Sequence, residues 1–348
     1  MKFSSFLLAS ATSIFVLSCS TDSNSPQPSG DYDNGILVVN EGNSASGSIS
    51  YFSNDLSVAE QDIFSLVNGS GESLGGFVQS MFFDGDRAFI ISNGSNKITV
   101  VNRYTFEYLA TIDSGFAAPR YGVVYGGKAY VTNMNSFFDA ADDYVAVINL
   151  GDLSMAAPIS VGTYAERIVE SNGKLFVSGG AFGMGDKITV INGSTDTLVG
   201  SVTVGEAPNS LEVRDGILYV LCGSFTSNSK IVKINTATNA VESEIVFPDT
   251  MGNASNLDID SDQMYFTVGP KIFKFDVDAT SITNTPLADT GSTSFYIGYG
   301  FAVHDGRIFI SEAADDFASD GSIFVYSTDG SLIDTRAAGL GPNGFYFN

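Results

Sequence analysis

One histidine, His304, and two cysteines, Cys19 and Cys222, supply all the imidazole and thiol chemistry of this 348-residue chain. A histidine general base with its orienting partner, a multi-histidine metal centre and a histidine-activated nucleophile are therefore not assigned. Cys222 ends the apolar run Ile217 to Leu221 and reads as a small buried hydrophobe, not a nucleophile. Carboxylates are plentiful, with 39 Asp and Glu against 16 Lys and Arg and a formal charge of −23. Their number ensures chance proximity, but no spacing marks a catalytic pair. Asp139, Asp142 and Asp143, and Asp315, Asp316 and Asp320, lack the Asp-x-Asp-x-Asp-Gly spacing of a calcium loop and read as solvated surface charge. Gly179-Gly180 and Gly183 lack the Lys-Ser/Thr of a phosphate-cradling loop. The negative field disfavours nucleic acid and anionic lipid surfaces as partners. What remains is recognition by polar and aromatic side chains, and the question becomes which elements bring them together.

A repeat answers it. The unit runs apolar stretch, Gly or Asp turn, aromatic-centred strand, loop, β-branched strand ending near Asn, Thr-rich turn and last strand. Aligning the central aromatic gives Phe89, Tyr130, Phe176, Tyr219, Tyr265 and Phe309, at steps of 41, 46, 43, 46 and 44 residues. Four short strands per copy, punctuated by pairs such as Asp215-Gly216 and Asp305-Gly306, fit a propeller blade better than a solenoid coil. Sustained helical periodicity is missing, so helix is expected to be nearly absent. A seventh blade comes from the ends. Ile36 to Asn40, Ser48 to Phe52 and Val58 to Phe64 supply three strands without an innermost one, and Pro342 to Asn348 is an innermost strand with nothing after it. The expected fold is all-β: a seven-bladed β-propeller of four-stranded antiparallel blades, closed by the C-terminal strand, which removes an open sheet edge.

In such blades the head of each innermost strand and the loop between second and third strands share one face. The heads read Gln79, Arg120, Glu166, Asn209, Ser255, Tyr299 and Asn343, followed by Ser80, Tyr121, Arg167, Ser210, Asn256, Gly300 and Gly344. A ring of amides, Arg, Glu and Tyr around a channel mouth is a candidate recognition surface. The ligand-binding set is Gln79, Arg120, Tyr121, Glu166, Arg167, Asn209, Asn256, Phe295, Tyr296, Tyr299 and Asn343. The bland alternative is that these residues only satisfy backbone groups and water. Phe137, Phe138 and Phe317, on acid-rich loops, are candidate peripheral contacts. His304 precedes the Asp305-Gly306 turn and is expected at the opposite end of its strand.

The N-terminus has the charged, apolar and small-residue zones of a secretory signal. Val16-Leu17-Ser18-Cys19 resembles the bacterial lipobox. That implies cleavage after Ser18, lipidation of Cys19 and a formal charge of −24 once Lys2 is lost. The expected organisation is a signal peptide over 1–18, a lipidated flexible tether over 19–33 and the propeller over 34–348. Asp22 resembles the acidic export signal of Bacteroidetes-type surface lipoproteins. Tyr130-Val131-Thr132-Asn133 resembles the Tyr-Val-Thr-Asn repeat of β-propellers, and the chain after residue 34 is similar to YncE-like surface propellers. One group of these captures cobalamin and caps a TonB-dependent transporter. This chain is similar in its lipobox, blade number and Gly341-to-Phe347 ending, and departs in having no Trp and one His. The resemblance implies an outer-membrane lipoprotein exposed on the cell surface, without a cofactor, touching the membrane only through its lipid. It would present a ligand such as a corrinoid to such a transporter. A protein-interaction or scaffolding propeller, and a propeller hydrolase or lactonase, are the alternatives.

Overall fold

The computed structural model describes residues 29–136, 139–180 and 183–348. Cys19, Phe137 and Phe138 lie outside the described residues. Seven four-stranded antiparallel sheets follow one another around a ring. Blade 1 is built from Gly35–Asn40, Ser48–Ser53 and Ala59–Glu60 with Pro342–Phe347 as its inner strand. The inner strands of blades 2 to 7 are Val78–Asp84, Pro119–Tyr125, Ile168–Ser171, Pro208–Arg214, Ser255–Asp260 and Ile297–His304.

The sequence pattern explains the radial order. Second strands such as Arg87–Ser92, Lys128–Asn133 and Ile217–Cys222 are near-continuous apolar runs because blades stack against both of their faces. All six aligned aromatics, Phe89 to Phe309, are buried there. Outermost strands such as Thr197–Thr203 lie largely in water. Tight turns join inner to second strands where two successive residues take positive φ: Asn172 and Gly173 (53° and 74°), Asp215 and Gly216 (50° and 78°), Asp305 and Gly306 (48° and 70°). This primed geometry matches strand twist, and Asn, Asp and Gly bear it at least cost.

The ring closes as expected. Val38 pairs with Phe345 and Ile36 with Phe347. Asn348 then donates to the carbonyls of Tyr32 (2.8 Å) and Arg103 (2.9 Å). The region expected as a strand over Val58 to Phe64 differs. Only Ala59–Glu60 is strand, and Ile63–Asn68 is a helix of six residues. Asp62, at φ 49°, turns the chain off the sheet so that Ile63 and Phe64 enter the core beside Tyr51 and Phe106. The packed body also starts earlier than residue 34, since Tyr32 is buried edge-on between Tyr51 and Phe106.

The end of the ring opposite the candidate face carries a recurring device. At each of the seven blade junctions a cation reaches an oxygen of the neighbouring blade. Six of them serve the turn before the next blade's outermost strand: Arg87 bonds Leu150 O (2.9 Å), Lys128 Asp196, Lys174 Thr236 O and Ala237 O, Lys233 Val277 O, Lys274 Thr328 O and Arg307 Asn54 O. At the last junction Arg103 bonds Phe347 O at 2.8 Å. Seven of the chain's 16 cations thus serve ring assembly.

Candidate ligand-binding face

The heads of the inner strands converge on one end of the channel, and neighbouring inner strands are tied there through side chains. Asn209 donates to Ala254 O (2.9 Å), Asn256 to Gly298 O (2.8 Å), and Asn343 to Val78 O (3.0 Å) and Gln79 O (3.2 Å). Hydroxyls add ties between blades: Ser80 to Arg120 O and, from second strands, Thr132 to Glu166 O and Ser311 to Pro342 O. Three of the predicted binding amides therefore satisfy backbone carbonyls, as the bland alternative requires. Glycine serves close approach. A Cβ on Gly300 would lie 2.9 Å from the Asn343 and Gly344 backbone, so the inner strand of blade 7 could not pack there with a side chain.

The charged members form one chain of contacts. Arg120 holds Glu166 with two bonds, Nε to Oε2 at 2.8 Å and Nη2 to Oε1 at 2.7 Å, and donates a further bond to Gln79. Gln79 passes its amide to the Tyr121 hydroxyl at 3.0 Å. The Arg167 guanidinium lies over the Tyr121 ring, 4.0 Å from its centre. Burial works against the Arg120 charge, but Glu166 outweighs it and holds the guanidinium above its ordinary pKa.

Across the mouth, the Tyr299 hydroxyl donates to Glu41. Burial raises the Glu41 carboxyl above its usual range, and the Tyr299 bond and the Arg120 charge oppose that. Burial and Glu41 likewise raise the Tyr299 phenol. Phe317 is half-buried against Tyr296 and Tyr299, with centroids 4.6 and 5.4 Å away, so it tucks down onto the face. Phe295, stacked edge-on against Tyr296, remains 88% exposed.

Together Glu41, Phe77, Gln79, Asn93, Arg120, Tyr121, Tyr299 and Asn343 line a cavity of about 400 Å³ at the mouth. A chamber of about 250 Å³ continues below it, sharing Tyr121, Tyr299 and Asn343 and adding Arg167, Asn256, Glu212, Asp258 and Tyr346. A third hollow of about 450 Å³ lies off-axis between Asn209, Asn253 and Phe225. The prediction thus missed Glu41, Glu212, Asp258, Tyr346 and Phe225. Glu212 and Asp258 carried a signal: three residues past the strand head the repeat otherwise places Phe82, Val123, Val169, Ala302 and Tyr346.

His304 lies at the far end of its strand, stacked on Phe347 at 4.0 Å. Cys222 is buried, which pushes its thiol up to about 12. Of the acidic-loop residues, Asp139 caps a short 3₁₀ turn and Asp316 accepts from Ala318 and Ser319. Asp143 departs from the expectation of solvated charge. It is fully buried and accepts from the Ala165 N–H at 2.9 Å. Among the described residues no group of three His, Cys, Asp or Glu is placed to hold a metal ion.

A family profile described as "Domain of unknown function (DUF5074)" matches residues 34–333. The chain belongs to the DUF5074 family. No curated protein matches it in sequence. Solved structures similar to this DUF5074 protein include the hydrazine synthase of Kuenenia stuttgartiensis, at TM-score 0.62 and 18% identity over 75% of this chain and 86% of that one. AztD from Citrobacter koseri matches at TM-score 0.55 and 12% identity, over 89% and 96%. BamB from Moraxella catarrhalis matches at TM-score 0.52 and 13% identity, over 87% and 82%. At such identities these likenesses speak for the propeller fold alone, and the DUF5074 site stands on its own geometry.

Proposed function

We propose that this DUF5074 propeller is a ligand-binding module of the cell envelope, tethered through a lipid on Cys19. It captures a small or medium polar ligand at the channel mouth and hands it to a TonB-dependent transporter in the outer membrane. The observation that carries the reading is the continuous mouth and chamber, where aromatic faces and polar groups of all seven blades border one opening. The lipobox resemblance at Cys19 supports the anchor, and the resemblance to YncE-like surface propellers supports the transporter. The work of this module is binding, not catalysis, with the lone histidine at the far end of the ring.

Isothermal titration with cyanocobalamin tests the corrinoid form. Heat and a thermal shift that weaken in Tyr299→Ala support it, and their absence removes that ligand. Membrane fractionation of Cys19→Ala tests the anchor, which predicts release into the soluble fraction. Affinity capture from envelope extracts tests the partner, which predicts recovery of an outer-membrane barrel. Phe225 and Phe295, 82% and 88% exposed, favour a second reading in which the face grips a protein. Recovery of a stoichiometric soluble partner, undisturbed by Tyr299→Ala and lost in Phe295→Ala, distinguishes it.

A further inference from the structure

The chamber under the mouth holds two polar groups that the protein leaves unmatched. The Arg167 guanidinium lies over the Tyr121 ring, 4.0 Å from its centre, and its N–H groups make no hydrogen bond to any described residue. The Glu212 carboxyl borders the same chamber and likewise has no hydrogen-bond partner among the described residues. Asp258 differs, since its two oxygens take the backbone N–H groups of Ile259 and Val303, both at 2.7 Å. Both side chains are half-buried, so the open donors of Arg167 and the open acceptors of Glu212 face the chamber's water and can exchange it for a ligand.

We propose that the chamber binds a small zwitterion of the α-amino acid type, with its carboxylate on Arg167 and its ammonium between Glu212 and Asp258. The assignment deepens the ligand-binding reading above and rests on it. A guanidinium offers a planar fork that matches a carboxylate, and the Tyr121 ring beneath it favours its place in the chamber before a ligand arrives. Two carboxyl groups facing one ammonium complete the complementarity. A cavity of about 250 Å³ suits a compact ligand, and the shared lining of Tyr121, Tyr299 and Asn343 gives it a route from the mouth.

Protonation adds a signature. Burial and the Asp258 charge raise the Glu212 carboxyl well above its ordinary value, against the opposing Arg167. The other titratable groups lining the chamber are the Tyr121, Tyr299 and Tyr346 hydroxyls. An arriving ammonium displaces the Glu212 proton, so binding strengthens as pH rises and releases a proton to the buffer.

The test is titration calorimetry of the full chain with glycine, L-alanine, L-serine, L-glutamate and L-lysine, each against its methyl ester and N-acetyl form. We expect at least one free zwitterion to bind and both blocked forms to bind at least about tenfold more weakly, since each removes one charge-assisted contact. Arg167→Met and Glu212→Gln should weaken it similarly, and the heat should vary with buffer ionisation enthalpy. No binding by any of the five overturns the proposal, as does equal binding of the blocked forms, which needs no variant to fold. Wild-type affinity in Arg167→Met overturns it too. A ligand whose affinity follows Tyr299 and Glu41 but ignores Arg167 overturns the chamber while leaving the mouth reading standing.

Discussion

Arg120 and Glu166 head the inner strands of neighbouring blades, and the guanidinium of one grips both oxygens of the other with the two side chains only 14% and 11% exposed. The pair joins blades 3 and 4 at the rim of the channel and fixes the wall of the mouth through Gln79 and Tyr121.

Breaking that pair from one side strands a buried charge. Glu166→Leu should cost about 3–5 kcal/mol, whereas the double change Arg120→Met with Glu166→Leu should recover most of it. Urea unfolding of both variants checks this. Equal losses in the single and double variants would show that the pair matters through shape and not charge.

Ring closure is tested at Phe345, 7% exposed and packed with Phe309. Phe345→Ala should destabilise by about 3–5 kcal/mol through lost burial and a cavity. Deleting 343–348 should abolish a soluble, cooperatively melting protein. A truncated chain with unchanged melting would contradict closure by this strand.

The junction cations make a separate prediction. Lys174 donates to Thr236 O, Ala237 O and the Asn239 side chain at 2.7 to 2.9 Å. Lys174→Met keeps the stem and drops three bonds, so it should cost about 1–3 kcal/mol in denaturant unfolding. Because the change lies at the far end of the ring, ligand affinity at the mouth should stay unaltered.

Asp143 sets a pH dependence. Burial raises its carboxyl from 3.8 to about 6. Between those values the folded protein keeps a proton that the unfolded chain releases, so stability falls as pH rises from about 4 to about 6 and levels off above. The contribution is at most roughly 3 kcal/mol. Melting temperature measured across that window should drop in the wild type and drop less in Asp143→Asn. Identical slopes would place the titration elsewhere.

Blade count, closure and the strand heads could be read from the chain because each rests on local chemistry that recurs: the buried aromatic ladder from Phe89 to Phe309, the Asp-Gly turns and the orphan strand at Pro342–Phe347. The helix at Ile63–Asn68 escaped notice because six residues are too few to show a period. Arg120 and Glu166 were each singled out, yet their pairing was invisible, since it depends on how far one blade is rotated against the next. Asn209, Asn256 and Asn343 had the right positions, but only the structure shows their amides turned to neighbouring carbonyls. Asp143 looked like any loop acid until the chain folded over it.

Pairing of Pro342–Phe347 with Gly35–Asn40 also orders events in time. While the chain is still being made, the earliest blade waits with a bare hydrogen-bonding edge, and every later blade is complete before it. A chain interrupted anywhere ahead of residue 342 leaves that edge open to a neighbour, so premature stops should yield aggregates and not smaller folded rings.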